Sequence, residues 1–564
     1  MAKIFYPDFF NDVFGPIMQP GSSGGFAGPT RIGNIAKDLI GGEVKKVVFS
    51  FQKDNEGSLQ SLGNFMTDRG FLGGVQGFLP DDKRLFDAHR LARESGLSYE
   101  FRIDDKNYGY ERGVKIEVFG EGDEYGQLIG ASVGGGMVRI YEVNGYYINW
   151  QADTYGVIIY GIKEGEASDV VAGINKSYED HVIDIREVTK AGSDVTTSEN
   201  SQVNGVAIEK AVFAELDIDI AGDDKISSGS SIFGDGKRSV FLPAVLPVIT
   251  TNKKKNQLFS TVEEWRNYAK DHGISFLDAA IEYEKASSGW CEDKIWAYFE
   301  RIRDIFDKQI HSLEDRDYDV EDTPILPVYG KKWKAFLDKE QYITDKLTRH
   351  ILTHAYATNA KVPGVIIVPG PMGTGGGYLY SALDAVREER GYSRQKELEA
   401  LVIAATLGAL AYTHTNASGE RGCIGESGVC NAMASGAVAY LVTPEENPLV
   451  EVGVAVERAA SMALQANMGL VCDPIPGGLE FPCITRTLRA AVTAPMYAEM
   501  AVIGIDPLIP YHELLQAMER HYKETPPERL CGGNCGTCTT PTAQKCKEFL
   551  SDLMADNLKY EAFL

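Results

Sequence analysis

The 564-residue chain has no excess of positive charge: 56 Lys and Arg stand against 80 Asp and Glu, a formal net charge of −24. That sign repels phosphate backbones and anionic headgroups, which argues against nucleic acid or a membrane surface as partner. Long hydrophobic runs are also missing. The longest, Ala400 to Tyr412 (ALVIAATLGALAY), is too short and too rich in alanine to span a bilayer, and it reads as a buried helix. The opening, MAKIFYPDFFNDVF, lacks the basic and apolar run of a signal peptide, so a cytoplasmic location is expected. Cysteine is sparse, and nine is an odd count that speaks against a disulfide framework. Neither an internal repeat nor an extended low-complexity region is evident. For cysteines that cluster, metal binding or thiol reactivity is left.

What is present divides into sections, and a chain of this length should hold two to four cores. Residues 1–145 mix strand-like runs (KKVVFSF, GVKIEVFG, GMVRIYEV) with glycine-rich loops and read as an α+β domain. Residues 146–248 run strand, helix, strand, polar loop and strand, a small βαββ module. Residues 249–340 open on a polar linker and continue as predicted helix. There Ser260-Thr261-Val262-Glu263 has the form of a capping box, and KIWAYFERIRDIFDKQI has an amphipathic period. Residues 341–530 form an Ala/Gly-rich, all-α domain, and residues 531–564 a cysteine-rich tail. The predicted class is α+β.

Chemistry concentrates in two cysteine-bearing loops. In VCDPIPGGLEFPC, Cys472 and Cys483 flank a stretch that Pro474, Pro476 and Gly477-Gly478 keep out of helix. Cys423 lies in NASGERGCIGESGVCNAMASG, a second glycine-flanked turn. A lone cysteine is ordinarily a small core residue, and Cys430 and Cys291 suit that reading. Three cysteines in Gly- and Pro-rich loops also suit a cluster, because such loops let sulfurs converge while N–H groups point inward. Zinc normally takes four ligands, and no CxxC pair occurs in this region. Three thiolates leave one iron of a four-iron cluster open, where it can act as a Lewis acid.

RGCIGESGVCNAMASGA resembles the GCQGEVGVACSMAAA segment of iron-sulfur-dependent L-serine dehydratases, and MGLVCDPIPGGLEFPCITR resembles their LGLTCDPIGGLVQVPCIER segment. The likeness extends to GSLQSLGNFMTDRG, FLPDD and ASVGGGMVRIYEVNGYY of the family's β domain, and to NAKVPGVIIVPGPMGTGGG beside its APTCGSAG loop. It implies β and α parts fused in one chain, with residues 146–248 in the place of an ACT domain, a small-molecule-sensing fold. It further implies a 4Fe-4S cluster held by Cys423, Cys472 and Cys483, without pyridoxal phosphate. The activity implied is elimination of the L-serine hydroxyl to give pyruvate and ammonia. A homo-oligomer, as a dimer, is expected.

The sequence departs from the family pattern in the β domain. The motif P-S-S-S-H-T-x-G-P becomes PGSSGGFAGP at residues 20–29, and GHHTD becomes NFMTD, both without histidine. Ser22, Ser23, Thr67 and Asp68 remain as substrate-binding candidates, with Thr374 and Asn416 from the α domain. A plain flexible turn is the other reading of the serine loop. His414, in THTNASGE, is the candidate proton-transfer group, against a structural histidine. The ACT-like module shows GIKEGEAS where a ligand-sensing Asp-x-Pro-Gly turn is usual. In the tail, Cys531, Cys535, Cys538 and Cys546 could hold a second metal, or one of them could cap the cluster. Two further hypotheses stand beside serine deamination: the same chemistry on L-cysteine or another β-hydroxy acid, and a non-catalytic iron-sulfur or amino-acid-sensing protein.

Overall fold

The computed structural model describes residues 6–52, 66–163, 165–190, 202–203, 206–207, 210–223, 232–233, 237–251, 254, 256–314, 329–359, 364–371, 375–417, 421–471, 481–526 and 536–545. The chain separates into two compact units. One is built mainly from Gly24–Leu59 and Thr67–Lys254, the other from Phe5–Ser23 and Lys255–Leu564.

The first unit holds two main sheets. Strands β1 (Lys46–Gln52), β2 (Ser98–Asp104), β3 (Val114–Phe119), β4 (Tyr125–Ser132), β5 (Val138–Val143) and β6 (Tyr146–Trp150) form a sheet in the order β2-β1-β3-β4-β5-β6. Only β1 and β2 pair in parallel, and the helices Thr67–Val75 and Ala88–Ser95 lie in the connection such a pair requires. Alternating burial along β3 and β6 marks a sheet with one covered face, whereas β1, buried from its second residue on, is central. The helices Gly28–Lys37 and Thr67–Val75 cross very closely. A Cβ on Gly74 would sit 2.2 Å from the Thr30 carbonyl oxygen, so the crossing requires glycine there.

Tyr146–Trp150 pairs with β5, so the second sheet begins only at β7 (Tyr155–Ile162). After the helix Ala167–Tyr178 come β8 (Val182–Thr189), the two-residue strands β9 (Gln202–Val203) and β10 (Val206–Ala207), β11 (Lys210–Leu216) and β12 (Arg238–Leu242). The antiparallel sheet runs β12-β7-β11-β8, and the helix covers it through Val170, Ile174 and Tyr178.

The second unit is helical. The sequence reading groups residues 1–145 together, yet the first described residues cluster with the helices, because their aromatic rings bury there. Phe9 stacks on Tyr283 at 5.7 Å, Phe14 meets Phe306 at 5.9 Å, and the Phe9 N–H donates to Glu284 at 2.8 Å. Helices Val262–His272, Phe276–Ser288 and Glu292–Ile310 follow. The first is capped one residue later than the sequence suggests: Thr261 Oγ1 accepts from the Glu264 N–H. Ser275 and Asp278 form a full capping box on the second.

The expected buried helix is present as Arg394–His414, whose Leu398–Ala411 stretch is enclosed except for Glu399. Beside it pack Val429–Val442, buried almost throughout, and Phe481–Val502. Among the described residues no helix is long and apolar enough to cross a membrane. The molecule is therefore a mixed α/β protein with an N-terminal sheet region and a C-terminal helical region.

Candidate active site

Cys423 is buried and immediately precedes a π-helical turn, Ile424–Gly428, which runs into the helix Val429–Val442. Wide turns of this kind are uncommon and recur at functional sites. Cys483 is half-buried in the first turn of Phe481–Val502, where N–H groups have no partner within the helix and a thiolate is favoured. Cys472 lies outside the described residues, but the two residues before it are tied on both sides. The Ile424 N–H donates to the Leu470 carbonyl at 3.2 Å, and Arg486 Nη1 donates to the Val471 carbonyl at 3.1 Å. Ile424 adjoins Cys423, and Arg486 stands one helical turn beyond Cys483. The chain thus enters Cys472 from a point fastened to the segments carrying the other two thiols.

The remaining cysteines differ from these. Cys430 points away from any ligand role: its Sγ donates to the Gly375 carbonyl at 3.2 Å, and burial pushes its thiol up to about 12, so it stays protonated. Cys291, read from sequence as a core cysteine, is exposed at the N-cap of Glu292–Ile310, because the chain breaks there between two helices. In the tail, Cys538 is buried and disulfide-bonded. Cys531, Cys535 and Cys546 lie outside the described residues, as does Thr374.

Arg421, two residues before Cys423, is tied to the helix Tyr511–Glu524. Arg421 Nε bonds Glu519 at 2.7 Å, and Glu519 also takes the Thr415 hydroxyl at 2.8 Å. Burial drives Glu519 upward, but these two hydrogen bonds outweigh it and hold the carboxyl below its ordinary range. Ser427 Oγ, on the turn after Cys423, is buried without a hydrogen-bond partner. A buried thiol, a helix-start thiol, nearby guanidinium groups and an orphaned hydroxyl suit a thiolate-held cluster.

His414 ends the helix Arg394–His414, and its Nε2 lies 2.8 Å from the Ser260 carbonyl oxygen. That bond commits Nε2 as a donor and leaves Nδ1 as the basic nitrogen. Asn416 is half-buried two residues on, Ser23 is buried and Ser22 half-buried.

In the first unit, Thr67 donates to the Gly25 carbonyl at 2.6 Å, fastening the start of its helix to the glycine-rich loop. Asp68, beside it, reaches a residue that sequence reasoning missed: Asp68 Oδ2 lies 2.6 Å from His89 Nε2. His89 Nδ1 in turn lies 3.0 Å from the Tyr99 hydroxyl. Nothing in the local pattern FDAHRLARE marks that histidine; its only signal is a carboxylate 21 positions earlier.

A family model described as serine dehydratase alpha chain matches residues 271–529. The chain is similar to the probable L-serine dehydratase alpha chain of Bacillus subtilis (strain 168), 26% identical over 303 residues, covering 52% of this chain and 95% of that one. It is also similar to the L-serine dehydratase beta chain of Peptoniphilus asaccharolyticus, 33% identical over 149 residues, covering 26% of this chain and 65% of that one. Similarity to L-serine dehydratase 2 of Escherichia coli (strain K12) is 34% identity over 134 residues, covering 22% of this chain and 28% of that protein. The chain thus combines, on a single polypeptide, a stretch that matches the serine dehydratase alpha chain model with similarity to an L-serine dehydratase beta chain.

Proposed function

We propose that the protein is an L-serine ammonia-lyase, with Cys423, Cys472 and Cys483 holding a 4Fe-4S cluster. The observation that carries this reading is the pair of hydrogen bonds from Ile424 to Leu470 and from Arg486 to Val471, which gather three cysteine-bearing segments. When bound, a cluster with one iron lacking a protein ligand supplies Lewis acidity toward a poor leaving group.

The chain's own residues have the other tasks. Ser22, Ser23 and Asn416 offer hydroxyl and amide hydrogen bonds to the amino-acid carboxylate. An imidazole takes the weakly acidic Cα proton, through His414 Nδ1 or through His89, which Asp68 orients. Loss of the β-hydroxyl leaves an enamine, which tautomerises to an imine that water converts to pyruvate and ammonia. Reduced tail thiols would cap the cluster or take a second metal. The β12-β7-β11-β8 sheet with its single described helix supports reading that region as an ACT-like module.

Anaerobically reconstituted protein should release pyruvate from L-serine. The missing histidines at residues 20–29 and 64–68 favour one second reading, a different β-substituted substrate. Sulfide from L-cysteine without pyruvate from L-serine would establish that reading instead, and turnover in air by iron-free protein would end both.

A further inference from the structure

Three side chains that the dehydratase reading leaves unused converge in the helical unit. His311 follows the last residue of Glu292–Ile310, His354 lies on Lys346–Asn359, and Asp384 lies on Gly375–Arg390. One ring nitrogen from each histidine and one oxygen of Asp384 all lie within 4.8 Å of one another. The side chains of His354 and Asp384 are 2% and 0% exposed, while that of His311 is 32% exposed.

Two atoms of this group are buried without any hydrogen-bond partner: His354 Nδ1 and Asp384 Oδ2. They stand 3.7 Å apart, too far for a hydrogen bond. Buried polar atoms are nearly always satisfied, and an ion between these two would satisfy both. Ligands about 2.1 Å from a tetrahedral ion stand about 3.4 Å from each other. The gap is thus close to one edge of such a site, and His311, at a solvent-facing helix end, can close the remaining distance with little displacement.

Two of the three side chains are held as metal-ligating groups usually are. His311 Nδ1 lies 3.2 Å from Glu314 Oε2. Asp384 Oδ1 takes Arg387 at 2.7 Å and Arg394 at 3.2 Å, so Oδ2 remains for an ion. His350 nearby is already engaged, with Glu389 at 3.1 Å and Glu388 at 3.3 Å. Asp384 lies nine residues, about 13 Å of helix, beyond Gly375, whose carbonyl takes the Cys430 thiol.

We propose that His311, His354 and Asp384 bind a divalent first-row transition ion, zinc by the mix of two imidazoles and one carboxylate, with water in the fourth position. The ion fastens together three helices, one of them through its C-terminal end, and takes no part in the lyase reaction.

The test uses full-length, iron-loaded protein exposed anaerobically to zinc sulfate, with unbound zinc removed. Zinc counting and zinc K-edge absorption should show about one zinc per chain with a nitrogen/oxygen shell at about 2.0–2.1 Å, whereas cysteine-bound zinc shows sulfur at about 2.3 Å. His311→Ala and His354→Gln should each remove the nitrogen/oxygen-bound zinc and leave iron content unchanged. Circular dichroism reports whether the buried His354→Gln variant folds; His311→Ala, at the exposed helix end, decides the matter if it does not. No retained zinc, only sulfur-bound zinc, or nitrogen/oxygen-bound zinc that survives His311→Ala would overturn the proposal. The readout does not depend on pyruvate release, so failure of the dehydratase reading leaves it interpretable.

Discussion

His89 Nε2 lies 2.6 Å from Asp68 Oδ2, and the carboxylate is 2% exposed. A buried carboxylate that holds one ring nitrogen fixes the orientation of the imidazole, as in acid–base relays. Asp68 closes the NFMTD stretch, whose family counterpart carries histidines, so here an imidazole reaches the same carboxylate from another helix. If His89 transfers the proton, His89→Gln should lower kcat by roughly 10²–10⁴-fold with iron content intact. Asp68→Asn should lower it less. Anaerobic pyruvate release measures both, and wild-type turnover in both variants would make the pair structural and leave His414 as the base.

Cys423 and Cys430 are seven positions apart, and their surroundings set different fates. Cys423→Ala should lose iron and turnover together, and Cys483→Ala should match it. Burial pushes the Cys430 thiol up to about 12, so it stays protonated and donates to a carbonyl. Cys430→Ala should therefore keep both iron and turnover, at a stability cost of about 1 kcal/mol. Iron loss in Cys430→Ala, or full iron in Cys423→Ala, would reverse the assignment.

The contrast shows what the sequence can carry. Cys423, Cys472 and Cys483 stand out in the sequence as candidates because glycine and proline around a cysteine record a local backbone demand. The helices between 262 and 310 were legible through capping residues and amphipathic period, off by one residue at Thr261. His89 was not legible, since Asp68 meets it only through the packing of separate helices. The same holds for His311, His354 and Asp384, which stand 43 and 30 positions apart and share no local motif. Nor did hydropathy reveal that Phe9, Phe10 and Phe14 bury on Phe299 and Phe306, because an aromatic-rich segment suits either core equally.

His414 should give the protein an acid sensitivity. Burial lowers its pKa below the ordinary value, the Ser260 carbonyl opposes this, and His512, with ring centroids 5.9 Å away, adds to it. The folded pKa therefore lies below the unfolded one. The contribution from neutral His414 is complete above about pH 6.5 and is lost as the pH falls from there toward the folded value. His414→Gln can still donate to Ser260 and no longer titrates. Between pH 7.5 and 5.5 the wild-type Tm should fall further than that of His414→Gln, and parallel decreases would show that the group does not titrate differently on folding.

The helix Gly375–Arg390 opens with three glycines, and the space around each makes different demands. A Cβ on Gly376 would lie 2.2 Å from the Val368 carbonyl oxygen and 2.7 Å from the Phe306 ring. On Gly377 it would meet Thr358 Cγ2 at 2.6 Å and the Gln309 side-chain amide at 2.7 Å. A side-chain amide can rotate away, whereas a backbone carbonyl moves only with its chain. Gly377→Ala should thus cost about 1–3 kcal/mol, the usual range for overpacking, and Gly376→Ala should exceed it. Urea midpoints at constant m-value rank the two. The ordering also bears on catalysis, because this helix starts directly after residues 372–374, which carry the substrate-binding candidate Thr374. Moving the helix start away from Val368 moves the described residue that directly follows Thr374, so Gly376→Ala should lose pyruvate release while its iron content holds. Equal stability of the two variants would mean that the Val368 segment yields, and Gly376→Ala would then keep its pyruvate release.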